Sequence, residues 1–100
     1  MIAFSWMIES YRDRKSRTFA GGGTVREFSG FAAQAARRLS ILNAATSLQD
    51  LRAMRSNRLE ALGGDRKGQY SIRINQQWRI CFEWPAGANG PRNVEIVDYH

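Results

Sequence analysis

The 100-residue chain contains one cysteine, one histidine and two prolines. With Cys81 alone, neither an intrachain disulfide nor a multi-cysteine metal site can form, and a single His and a single Cys cannot supply metal-ligand spacing. Such sparing use of cysteine fits a reducing cytoplasm. No serine–histidine–carboxylate order is present. The glycines at 63, 64 and 68 come with neither a Walker lysine–serine pair nor a strand-to-helix GxGxxG, so they form no phosphate-binding loop. Long hydrophobic runs are missing too. The opening MIAFSWMI is short, lacks a basic n-region and leads straight into charged residues. It reads as neither a secretory signal nor a membrane span, and Met7 could itself be an initiator. Repeats, low-complexity tracts and linkers are absent, so residues 1–100 read as one domain.

Acidic residues are also scarce. Nine Asp/Glu stand against fifteen Lys/Arg, a net charge of +6 with a pI near 10.4. Residues 1–68 hold twelve of the cations and six of the anions, whereas residues 69–100 hold three of each. A basic surface attracts polyanions, nucleic acid foremost. A membrane surface fits less well, because no basic amphipathic helix adjoins a long apolar run.

The clearest structural signal lies in residues 65–84, DRKGQYSIRINQQWRICFEW. Tyr70, Ile72 and Ile74 alternate with Gln69, Ser71 and Arg73, and Trp78, Ile80, Phe82 and Trp84 alternate with Arg79, Cys81 and Glu83. A period of two marks strands with one buried face. Keeping both apolar sets on one side requires a three-residue loop, either residues 75–77 or residues 76–78. A two-residue loop would pair Ile74 with Arg79 and turn half the core to water. Arg73 and Arg79 then emerge together on the polar face, where two cations on adjacent strands form a candidate anion site.

Elsewhere, residues 7–12 read as a short strand, residues 13–18 as a charged run and residues 21–23 as loop. Phe31, Ala35, Leu39 and Leu42 give a helix over residues 29–45. Ser47 caps a second helix, with Asp50 in its first turn and Leu48, Leu51 and Met54 on its apolar edge. Residues 57–62 alternate as a strand, residues 85–91 form a loop, and residues 94–100 close the chain as a strand. The expected architecture is α+β, with two N-terminal helices on one face of a mostly antiparallel sheet of four or five strands and the other face open. Val94 and Ile96 belong to the core; Glu95, Val97 and Tyr99 belong to the open side.

Each candidate has an ordinary alternative. His100 is the lone group that titrates near neutrality when unperturbed, yet it is also a terminal residue. Asp98 could simply guard a sheet edge, Tyr99 could be packing, and Arg79 could pair with Glu83 or Glu95. Glu60 could be the solvent-side residue of its strand. Taken alone, these residues describe a basic α+β domain with a cationic sheet face.

The segments ILNAATSLQDLR, NRLEALGGDRKGQYSIRINQQWRICFEW and VEIVDYH, in that order, closely resemble the HigB toxins of bacterial type II toxin–antitoxin systems, within the RelE/ParE superfamily. The resemblance runs from about Met7 to His100. It implies a RelE-like microbial-ribonuclease fold and a metal-independent endoribonuclease, an mRNA interferase that cuts mRNA on the ribosome and so inhibits translation. It implies no cofactor. A HigA-like helix-turn-helix antitoxin would neutralise the toxin, and operator DNA would be bound only through their complex. Matched position by position, the resemblance assigns catalytic roles to Arg79, Asp98, Tyr99 and His100. Glu60 is the candidate base, standing where some relatives carry histidine, and a ribosomal group is the alternative base. Arg73, Lys67 and Arg66 are the auxiliary phosphate-binding cations, while Gly63 stands where some relatives have lysine. A gyrase-inhibiting toxin of the ParE branch and a non-catalytic nucleic-acid-binding domain are the competing expectations.

Overall fold

The computed structural model describes residues 8–98. Three α-helices precede a sheet: α1 (Arg14–Ala20), α2 (Ala32–Ala44) and α3 (Leu48–Ala53), then β1 (Glu60–Ala61), β2 (Gln69–Arg73), β3 (Trp78–Glu83) and β4 (Arg92–Asp98). The four strands lie in the order β1-β2-β3-β4, each antiparallel to its neighbour. The α+β expectation holds, with one more helix than the pattern suggested.

The central hairpin follows the parity argument. Ile72 pairs with Ile80, Tyr70 with Phe82 and Arg73 with Arg79. Ile74 N–H donates to the Trp78 carbonyl at 2.9 Å, which leaves residues 75–77 as the loop. Asn75 builds that turn by accepting from the Gln77 and Trp78 backbone N–H groups through Oδ1, at 2.8 Å each. This is the side-chain turn mimicry that suits asparagine to such positions.

On the helix-covered face, Ile72, Ile80, Phe82 and Val94 are fully buried, with Ile96 close behind. They pack against Phe28, Phe31, Ala35, Leu39, Leu42 and Leu51 from the helical layer. The 3₁₀ turn Arg26–Phe31 delivers Phe28 and Phe31 to the hairpin. There Trp78 lies 4.8 Å from the Phe31 ring centroid and 5.8 Å, edge-on, from that of Phe28. These contacts pin the tip of the hairpin to the helices.

Ser47 caps α3 as expected, its Oγ accepting from Asp50 N–H at 3.3 Å. Asp50 reaches back to accept from both the backbone N–H and the hydroxyl of Thr46. Those bonds, the backbone one first, lower the Asp50 pKa below its ordinary value.

Several expectations are corrected. The charged run opens α1, which continues to Ala20 and is capped by Asp13, whose side chain accepts from Ser16 N–H. A buried Ser16 Oγ in turn accepts from the Ile96 N–H of β4 at 2.9 Å, so this helix closes a sheet edge. Of the strand expected over residues 7–12, Met7 lies outside the described residues, and the remainder forms one parallel bridge, Tyr11 to Val94. The first long helix begins at Ala32 rather than Ser29, because residues 26–31 form the tighter turn. Met54 lies past the end of α3 and is exposed. The strand over residues 57–62 shrinks to Glu60–Ala61. Asn57 sits in a 3₁₀ turn, fully buried, and Arg58 adopts the left-handed conformation at φ 46°. An extended strand cannot pass through that geometry.

Candidate functional site

Strand alternation places Glu60, Ser71, Arg73, Arg79, Cys81 and Glu95 on the face away from the helices. The cross-strand rows are Glu60–Ser71–Cys81–Glu95 and Arg73–Arg79–Val97. That face was expected to be open, yet Ser71 and Cys81 have no accessible surface. Arginine side chains roof it. Arg66 donates to Gln69 Oε1 at 2.9 Å and to Glu95 Oε1 at 3.3 Å, and Arg12 pairs with both Glu83 and Glu95. Burial beneath this roof pushes the Cys81 thiol pKa up, a direction that favours the inert protonated form.

Arg79 is the best-held cation of the face. Its Nε donates to Ser71 Oγ at 2.7 Å, and one terminal nitrogen donates to the Arg58 carbonyl at 2.6 Å. The same nitrogen lies 3.4 Å from Glu60 Oε1. Of that pair, the arginine side chain is 13% exposed and the carboxylate 58% exposed. The arginine is therefore fixed, whereas the carboxylate is the exposed partner of a weak, solvent-screened pair. An arginine fixed by neutral acceptors keeps its charge for a ligand, and its planar fork suits phosphate. Neither plain alternative, Glu83 or Glu95, is its partner: both carboxylates are taken up by Arg12, and Glu95 also by Arg66.

The other predicted residues fall in distinct places. Arg73 stands beside Arg79, and its Nε donates to the Asn75 carbonyl at 3.2 Å. Arg66 is engaged with Glu95, and Lys67 is exposed. Asp98 lies across from Trp78 and accepts from Gln77 Nε2 at 2.8 Å, tying the hairpin turn to the end of β4. By alternation it belongs to the opposite side of the strand from Val97, the register partner of Arg79. Tyr99 and His100 lie outside the described residues. Among the described residues, no group of three or more His, Cys, Asp or Glu side chains could hold a metal ion.

Two supports of the site were missed in the sequence. Ser71 reads there as an ordinary polar-face serine, and the Arg58 carbonyl carries no side-chain signal at all. The alternation pattern could have flagged Ser71, since it places a hydroxyl diagonally across from Arg79.

The chain is 49% identical over 51 residues to Toxin HigB-1 of Vibrio cholerae serotype O1, a match covering 51% of this chain and 54% of that protein. The chain thus spans about half the length of the curated relative it matches. Residues 9–100 match the family model described as RelE-like toxin of type II toxin-antitoxin system HigB. With nearly the whole chain matched, this protein belongs to the HigB-like toxin family.

Proposed function

We propose that the chain is a ribosome-dependent endoribonuclease that cuts mRNA and inhibits translation. The observation that carries this reading is Arg79, fixed by Ser71 and the Arg58 carbonyl with Glu60 alongside. RNA brings its own nucleophile, the 2′-hydroxyl, so the protein needs to place charge and move protons. Arg79 binds the scissile phosphate and stabilises the negative charge that grows on it. An arriving phosphate displaces Glu60 from the guanidinium, and the released carboxylate takes the 2′-hydroxyl proton. The 2′-oxygen bonds to phosphorus as the bond to the 5′-oxygen breaks. The products are a 2′,3′-cyclic phosphate and a 5′-hydroxyl.

His100 protonates the departing 5′-oxygen, and Tyr99 stacks on or orients a base. Asp98 is a positioning residue that holds the end of β4. Arg73, Lys67 and Arg66 contribute positive potential around the phosphate, Arg66 least because Glu95 already pairs with it. No metal takes part in this scheme. The toxin acts in the cytoplasm, bound to the ribosome. A helix-turn-helix antitoxin of the HigA kind neutralises it, and the pair binds operator DNA through the antitoxin.

Induced expression followed by mapping of cellular 5′ ends tests the reading. In-frame cuts within translated mRNA, with 5′-hydroxyl ends, support it. DNA damage without cuts would instead indicate a gyrase inhibitor, and neither outcome would indicate a binding module.

A further inference from the structure

Beyond Arg79, the positive charge of the molecule has a second concentration. A groove of about 390 Å³ runs between α2 and the hairpin turn, lined by Arg38, Arg58 and Arg73 with Gln34, Ser56 and Asn75. No acidic side chain lines it. Arg38 is aimed by neutral groups, donating to Asn57 Oδ1 at 2.8 Å and to Ser56 Oγ at 3.2 Å. Arg73 is likewise oriented by a carbonyl. Such bonds set the direction of a guanidinium without cancelling its charge. By contrast, Arg12 pairs with Glu83 and Glu95, Lys15 with Glu27, Arg66 with Glu95 and Arg92 with Glu9.

The groove is continuous with the candidate site. Arg58 belongs to both, since its carbonyl holds Arg79 and the residue also lines the groove. At the other end it runs on into a depression lined by Arg37 and Arg38. The cations therefore form a track rather than a closed pocket. No aromatic ring lines either stretch, so the track offers no platform for stacking bases.

We infer that this Arg58–Arg38–Arg37 groove is a second RNA site, which binds phosphodiester backbone without reading sequence. The inference rests on the ribonuclease reading and extends it: Arg79 takes the scissile phosphate, and the groove takes phosphates beyond it. Those phosphates belong either to the same mRNA strand or to ribosomal RNA.

The double variant Gln34→Glu/Arg37→Gln tests this, since Gln34 lines both stretches and Arg37 the outer one. Glutamate at position 34 brings a negative charge to both stretches, and Arg38, whose bonds to Ser56 and Asn57 are structural, is left in place. Binding is measured against salt for three probes: a 2′-O-methyl oligoribonucleotide, which cannot be cleaved, a single-phosphate dinucleotide, and whole ribosomes. Each lost phosphate contact on a single strand lowers the log K against log salt slope by about 0.7, so Arg37→Gln alone should lose about 0.7 and the double variant, which also repels the strand, more than that. Dinucleotide binding should be unchanged. A slope loss with the oligonucleotide assigns the groove to the substrate strand, and a loss with ribosomes alone assigns it to ribosomal RNA. Unchanged slopes for both overturn the inference and leave the ribonuclease reading intact, provided the wild type binds. An equal loss with the dinucleotide would mean that the variant damages the Arg79 site, and also overturns it. If the wild type binds neither ribosomes nor RNA, the ribonuclease reading falls as well.

Discussion

The two faces of this one sheet are built by different physics. The face under the helices is a continuous apolar layer in which Phe82, Ile72, Ile80 and Val94 lose all contact with solvent. The other face buries Ser71 and Cys81 just as completely, but beneath arginine side chains rather than helices. Non-directional burial of apolar area stabilises the first. The second depends on directional bonds, each contributing little to stability, that hold cations in chosen places. Mutations on the two faces should therefore separate folding from function.

The largest effect belongs to the apolar face. Phe82→Ala should cost about 3–5 kcal/mol in denaturant unfolding, the usual cost of emptying a large aromatic site in a core. A cost near zero would mean that this face is not the core. On the polar face, Arg79→Ala should lower RNA cleavage by about 10²–10³-fold, the effect of removing one preorganised donor to a developing oxyanion. The folded domain should persist by circular dichroism, and full growth arrest from the variant would remove Arg79 from the mechanism. Ser71→Ala connects the two faces. It leaves the Arg79 Nε without its acceptor, and should cost about 1–3 kcal/mol of stability together with part of the activity.

Two smaller effects sharpen the contrast. Cys81 should resist alkylation in the native protein and react once denaturant opens the sheet, because burial both shields the thiol and disfavours the thiolate. Rapid native labelling would show that the arginine roof is loose. Asp50 gives the smallest effect. Its folded pKa lies below the ordinary 3.8, so its contribution is complete above that value and is lost as pH falls through the lowered one. Asp50→Asn should flatten the acid limb of a stability–pH curve slightly. An unchanged limb would show that the Thr46 bonds carry no stability.

The hairpin and the stripe of α2 were legible because short-range patterns carried them. Alternation in residues 69–84 set the faces, and parity alone demanded the three-residue turn that Asn75 completes. Ser47 could be read as a cap because capping is a contact within one helical turn. By contrast, α1 hid inside a charged run: its one fully buried side chain is a serine, whose partner Ile96 lies 80 residues away. The strand over residues 57–62 failed for a similar reason. Asn57 is held inside by Arg38 and by the Leu51 carbonyl, contacts that override a six-residue alternation.

The sequence by itself determined the α+β class, the orientation of the hairpin and the placing of Arg73 and Arg79 on one face, because strand geometry repeats every two residues and needs no distant partner. Tertiary structure alone decided that Ser71 and the Arg58 carbonyl clamp Arg79, that Glu60 reaches the same face, and that Arg38 and Arg58 share a groove. Those choices depend on which hydrogen-bonding groups meet across the fold, and no local pattern encodes such meetings.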